Sequence, residues 1–72
     1  MITEKEIKLI KRLYPTGTRV VLDYMDDVQA PPSGTKGTVT SVDDIGQVHV
    51  DWENGSSLAL NTNLDTFHVL ID

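Results

Sequence analysis

The spacing of apolar residues divides the chain near Pro15. Before this proline, apolar side chains recur every three or four positions, a spacing that places them in one stripe along a helix, opposite the lysines. From Pro15 onward the period falls to about two, which points alternate side chains to opposite faces of a strand. The pattern therefore predicts one N-terminal amphipathic α-helix over residues 1–14 and a β domain over residues 15–72, within a single domain. The stripe consists of Ile7, Leu9, Ile10, Leu13 and Tyr14.

Both ends of the helix are marked in the sequence. Thr3 followed three residues later by Glu6 is a capping box, and Ile2 before the cap has the spacing from Ile7 that is typical of a hydrophobic staple. The helix should end at Tyr14, because the residue before a proline is driven out of the α region. A helix of about eleven residues is marginal alone, so we expect the stripe, including Leu13, to be buried.

The β domain contains five segments with strand character. The third segment alternates without interruption, which places Trp52 inward, and the Asn54-Gly55 pair after it is a strong hairpin signal. Tyr24 shares the inward face of the first segment and could belong either to the core or to a binding groove. The five predicted strands are Arg19–Met25, Lys36–Val42, Gln47–Glu53, Ser56–Leu60 and Phe67–Ile71.

The connections between these strands indicate the fold class. A long loop covers residues 26–34 and contains Pro31 and Pro32, whereas residues 43–46 and 61–65 form short turns. This order is typical of a mainly β, five-stranded SH3-like barrel, and closure would protect the edges of so small a sheet.

Charge is unevenly distributed along the 72 residues. The net charge is −5, but residues 1–19 carry +3 and residues 20–72 carry −8. An acidic body repels polyanions, so we expect the β domain not to bind nucleic acid. The sequence has no cysteine, no long apolar run and no basic leader before an apolar segment, which favours a cytoplasmic protein without a membrane span.

The sequence shows no set of residues typical of catalysis, so we expect a protein that is not an enzyme and has no cofactor. Metal binding would have to use His49 with Asp51 and Glu53, or His68 with Asp65, and neither spacing matches a known metal loop. The paired aspartates at 26–27 and 43–44 lie where aspartate commonly stabilises turns. We therefore expect no metal site.

Four motifs in a fixed order make residues 14–69 resemble domain-of-unknown-function family 4314. Glu53 stands where the family pattern has aspartate. The resemblance does not identify any catalytic residues. It implies an occurrence in Gram-positive bacteria, their phages and their mobile elements. The motifs are Tyr-Pro-Thr-Gly-Thr-Arg-Val at 14–20, Gly-Thr-Lys-Gly-Thr-Val at 34–39, Val-Asp-Asp-Ile-Gly at 42–46 and Trp-Glu-Asn-Gly-Ser at 52–56.

Together these features favour a binding module. We expect a small accessory protein, encoded by a phage or mobile element, that binds and inhibits a host defence protein through an acidic surface. The residues expected to contact this partner are Tyr24, Asp26, Asp27, Pro31, Pro32, Asp43, Asp44, Asp51 and Glu53.

The alternative is an oligomeric protein that sequesters a nucleotide signal by binding its phosphates, with the helix at the interface between subunits. The residues expected to hold the phosphates are either Arg19 and Lys36 or the helix bases Lys8, Lys11 and Arg12.

Overall fold

The structure is a computed structural model that describes residues 2–71. One helix precedes four strands in the order that the sequence predicts. The elements are α1 (Glu4–Leu13), β1 (Arg19–Tyr24), β2 (Lys36–Val42), β3 (Val48–Trp52) and β4 (Thr66–Val69).

Helix α1 begins and ends where the local sequence indicates. The backbone N–H of Glu6 donates to Thr3 Oγ1 at 3.1 Å, and the Thr3 hydroxyl donates to Glu6 Oε1 at 3.2 Å. These two bonds confirm that Thr3 caps the helix. At the other end Tyr14 donates its N–H to Ile10 O at 2.9 Å and leaves the helical conformation before Pro15.

The four strands form one antiparallel sheet in the order β3-β2-β1-β4. In register, Thr38 of β2 lies between Asp51 of β3 and Arg19 of β1, while Val21 of β1 lies between Lys36 of β2 and His68 of β4. Side chains alternate across the sheet, so one face carries these mostly polar residues and the other is apolar. We call them the outer face and the inner face.

The inner face packs into the hydrophobic core, and Trp52 lies within it. Trp52 is 2% exposed and donates its indole N–H to Leu58 O at 2.9 Å, so both its ring and its polar atom are satisfied. A side chain at Gly37 would come within 2.7 Å of Trp52 Cε3, so glycine is required beneath the ring. The buried core side chains are Ile10, Val20, Leu22, Val39, Val48, Val50, Trp52 and Leu60.

The predicted strand over residues 56–60 does not form, and the five-stranded SH3-like barrel is not confirmed. This segment meets β3 by a single bridge, Val48 with Leu60, although Trp52 also donates its N–H to Ser56 O at 3.1 Å. Between these points Ser56 Oγ accepts from Leu58 N at 3.3 Å, and Asn54 Oδ1 accepts from Ser56 N at 3.0 Å. Such local side-chain bonds compete with a sheet ladder. The sheet therefore stays open, with β3 and β4 at its two ends.

Only part of the predicted helical stripe is buried. Ile10 is 7% exposed and belongs to the core, whereas Leu9 and Leu13 are about half exposed. The prediction that Leu13 is buried is therefore wrong. Ile10 and Tyr14, about one turn apart, both pack on the core, whereas Leu9 and Leu13, also about one turn apart, lie at the edge of the stripe that faces away from it.

Helix α1 is held against the turn between β2 and β3. A side chain at Gly46, whose φ is +83°, would come within 2.6 Å of Ile2 Cδ1, and Lys11 Nζ lies 3.2 Å from Asp44 Oδ1. Glycine is needed here both for the left-handed turn and for the close approach of the helix.

Candidate functional site

The loop between β1 and β2 presents apolar and acidic side chains together at its tip. Tyr24 at the end of β1 is 61% exposed, and Val28 is fully exposed. Asp26 and Asp27 lie between them in the chain and are also exposed. We call these four residues, Tyr24, Asp26, Asp27 and Val28, the acidic tip. Of the two alternatives left open for Tyr24, the structure excludes the core.

The acidic tip is held in place by its own backbone. Asp27 accepts hydrogen bonds from Gln29 N to its Oδ1 at 2.8 Å and from Ala30 N to its carbonyl at 3.0 Å, and it donates its N–H to Met25 O at 3.0 Å. An aspartate turn of this kind fixes the direction in which the next side chain points. The exposed Val28 is therefore displayed by an ordered turn.

The second half of the same loop has a structural role. Pro31 is buried, Ser33 Oγ donates to Asp23 O at 2.6 Å, and Gly34 N donates to Leu22 O at 2.7 Å. These contacts fasten residues 31–34 to β1. Because Pro31 is buried, it is less accessible to a partner than the prediction supposed. Pro32 remains exposed.

The predicted acidic and basic contact residues meet on the outer face of the sheet. Asp51 lies on β3, and Glu53 is the first residue after the strand. Both share this face with Arg19 and Lys36. Arg19 Nη2 lies 3.5 Å from Glu53 Oε1, and its Nε–H donates to Gly37 O at 3.3 Å. The outer face is therefore a mixed surface with nearby compensating charges.

The aspartates at the turn between β2 and β3 are also engaged. Asp43 Oδ2 lies 2.8 Å from His49 Nε2, while Asp43 Oδ1 accepts from Ile45 N at 3.1 Å and from Gln47 N at 2.9 Å. Burial raises the pKa of Asp43, but the hydrogen bonds from His49, Gln47 and Ile45 and the charge of His49 outweigh it, so the pKa lies below its ordinary value of 3.8. Asp43 is the aspartate that shapes this turn.

The basic residues of the nucleotide alternative lie in separate places. Lys8 and Arg12 line an exposed cleft of about 320 Å³ on α1, together with Lys5 and Leu9. Lys11 reaches Asp44 on the neighbouring turn. Arg19 and Lys36 lie instead on the sheet, on β1 and β2, where Arg19 contacts Glu53. The five bases therefore do not converge on one ligand site.

Each histidine pairs with a different aspartate from those that the sequence analysis placed beside it. His49 contacts Asp43, and His68 Nδ1 lies 2.9 Å from Asp23 Oδ2. Within residues 2–71, no three histidine, aspartate or glutamate side chains gather closely enough to hold a metal ion. The helix described over the same residues is too short to cross a membrane.

The acidic tip places two adjacent, exposed carboxylates where neither has an ion-pair partner. In the part of the chain that the structure describes, Asp23, Asp43, Asp44 and Glu53 each have a basic or histidine partner, and no ion pair includes Asp26 or Asp27. The other acids outside these pairs stand singly along the chain, at Glu4, Glu6, Asp51 and Asp65. Sequence reasoning identified Tyr24 and the two aspartates but missed Val28. The sequence feature that could have identified Val28 is its position as a large apolar residue directly after two aspartates in a loop.

These features define a small domain in which one open antiparallel sheet is covered on its inner face by a helix and displays an acidic tip at a loop. The chain belongs to the family described as Domain of unknown function (DUF4314), whose model matches residues 3–70. Neither the curated proteins nor the solved structures that were compared with the chain gave a match.

Proposed function

We propose that this domain is a non-enzymatic binding module that engages a basic surface of another protein through its acidic tip. The observation that carries the proposal is the display of two uncompensated carboxylates beside exposed Tyr24 and Val28 on an ordered turn. Tyrosine is one of the side chains that most often supply binding energy in protein interfaces, neighbouring apolar side chains help to exclude water, and surrounding charges select and steer the partner.

The order of the loop supports this function energetically. A loop that is mobile before binding loses conformational entropy when it docks, which reduces affinity. Here the backbone bonds of Asp27 and the attachment of residues 31–34 to β1 fix the tip in advance. The acidic tip can therefore bind without ordering a flexible segment.

The charge of the tip indicates the chemistry of the partner. Two neighbouring carboxylates with no local base favour a lysine- or arginine-rich surface, and the net charge of −5 adds long-range attraction to it. Surfaces that bind nucleic acid are basic in this way. We therefore propose a nucleic-acid-binding protein of the host as the partner class.

The protein partner is tested by photo-crosslinking in bacterial cells with p-benzoylphenylalanine in place of Val28. We expect a specific crosslinked protein, and Asp26→Asn with Asp27→Asn should lower its yield by about tenfold, since close charge pairs contribute roughly 1.5 kcal/mol or more. Asparagine at position 27 keeps the Oδ1 acceptor of the turn, so the loop conformation is preserved.

The matched control removes the same number of charges from the outer face, as Asp51→Asn with Glu53→Gln. We expect this variant to keep most of the crosslink. Equal loss in both variants would show that net charge alone is responsible, and it would overturn the assignment to the acidic tip. Absence of any crosslink, together with a nucleotide retained by the purified protein in native mass spectrometry, would favour the nucleotide alternative instead.

A further inference from the structure

The two ends of the open sheet differ in how their backbone is covered. Beside β3, residues 56–60 bond to the outer edge: Val48 and Leu60 exchange two backbone hydrogen bonds of 2.9 and 2.7 Å, and Trp52 N donates to Ser56 O. Beside β4, no segment within residues 2–71 is paired with the outer edge of the strand. The edge of β4 is therefore the free end of the sheet.

The register shows which backbone groups this edge presents. Leu70 N donates to Arg19 O at 2.9 Å, and Val21 lies opposite His68. In an antiparallel pair every second residue bonds to the neighbouring strand and the residues between them point away. The N–H and C=O groups of Phe67 and Val69 therefore point outward from β4, where they can pair with another strand.

The side chains along this edge are suited to pairing. Val69 is 39% exposed and lies on the same side of β4 as Phe67, and Ile71, two residues after the end of the strand, is 86% exposed. Residues 66–71 contain no aspartate, glutamate, lysine, arginine or proline. Proteins normally protect a free edge with charges or proline, and an uncharged apolar edge is a template for strand addition.

We infer that β4 pairs with β4 of a second copy of this chain, in an antiparallel arrangement about a two-fold axis near Val69. In this register Val69 lies opposite the partner's Val69, Phe67 lies opposite the partner's Ile71, and His68 lies opposite the partner's Leu70. No like charges face each other, although the chain carries −5 overall. A second copy is favoured because it supplies an uncharged strand of matching pattern, and the pairing is self-complementary, as two-fold symmetry requires.

The dimer is expected to be weak, because a short strand pair buries less than the roughly 1,200 Å² at the low end of stable interfaces. Sedimentation of the full chain should show the mass rising toward twice the monomer value between about 10 µM and about 1 mM, the range typical of small transient interfaces. A chain that stays monomeric over this range would overturn the inference.

Amide hydrogen exchange tests the location of the interface without any substitution. The amide of Val69 should exchange quickly at low concentration and become protected at high concentration, whereas the amide of His68, which bonds to β1, should be protected at both. Protection of Val69 that does not depend on concentration, or dimerisation without such protection, would contradict pairing at this edge.

Two valine-to-lysine substitutions, one in β4 and one in the loop as its control, test whether β4 forms the dimer interface. Val69→Lys places a charge on each strand at the two-fold axis and should weaken the dimer by about tenfold or more. Val28→Lys makes the same change at an equally small apolar residue in the loop and should leave dimerisation unchanged. Equal effects of both substitutions, or none from Val69→Lys, would show that β4 is not the interface.

Discussion

Replacing Trp52 with alanine or phenylalanine separates the two roles of this side chain. The indole ring fills the core against Gly37, and its N–H holds Leu58 O of the segment beside β3. Phenylalanine keeps most of the apolar volume and loses the hydrogen bond, whereas alanine loses both.

The size of each effect follows from burial and bonding. Trp52 is 2% exposed, so truncation to alanine should cost about 3 to 5 kcal/mol. Phenylalanine leaves the carbonyl of Leu58 without its partner, which should cost about 1 to 3 kcal/mol. A domain of 72 residues has a free energy of unfolding of about 4 to 11 kcal/mol. Alanine therefore removes much of the total stability, and phenylalanine leaves a folded protein.

Urea denaturation followed by far-ultraviolet circular dichroism measures both free energies without using tryptophan emission. Amide exchange should also show a larger increase at Leu60 in Trp52→Phe than at the amides of β3, because the segment over residues 56–60 has lost one of its attachments. A free energy for Trp52→Ala within about 0.5 kcal/mol of the wild type, as for a surface site, would refute the placement of Trp52 in the core. A Trp52→Phe variant with unchanged stability and unchanged Leu60 exchange would refute the role of the hydrogen bond.

Two further predictions concern the helix and the turn between β2 and β3. Ile10→Ala should cost about 2 to 5 kcal/mol in urea denaturation, whereas Leu13→Ala should cost less than about 1 kcal/mol, and equal costs would contradict their different exposure. Because the pKa of Asp43 is lower in the folded state, its carboxylate stabilises the fold above its unfolded-state pKa, and this contribution is lost as the pH falls through the folded-state pKa. Asp43→Asn should therefore lose less stability than the wild type between about pH 7 and about pH 3, and parallel curves would argue against the pair with His49.

The sequence predicted the elements whose signals are local. The Thr3–Glu6 capping box, the strand over residues 36–42 and the inward alternation up to Trp52 all depend on neighbouring residues, and each is confirmed. The segment over residues 56–60 was predicted wrongly because Leu58 and Leu60 have strand spacing. The local bond from Leu58 N to Ser56 Oγ competes with a sheet ladder, and the bond from the Trp52 indole N–H to Leu58 O is made only in the folded chain.

The candidate site was predicted less completely, because it also depends on contacts that form only in the folded chain. Tyr24, Asp26 and Asp27 could be identified at the start of the loop, but only the folded chain shows that Pro31 is buried. Which acidic groups are compensated also depends on pairs far apart in the chain, such as Asp23 with His68. Charge counted along the sequence could not distinguish these from the free carboxylates.

Release of residues 56–60 from β3 is the step that makes the protein prone to aggregation. This segment covers β3 through few hydrogen bonds and one buried core residue, Leu60, so its release is a partial opening that requires less free energy than unfolding of the whole domain. Release exposes the backbone of β3 while the rest of the sheet stays folded, and a folded sheet with a newly bared edge is a template for non-native association. Shelf life and resistance to proteases should therefore follow the rate of this local opening more closely than the melting temperature.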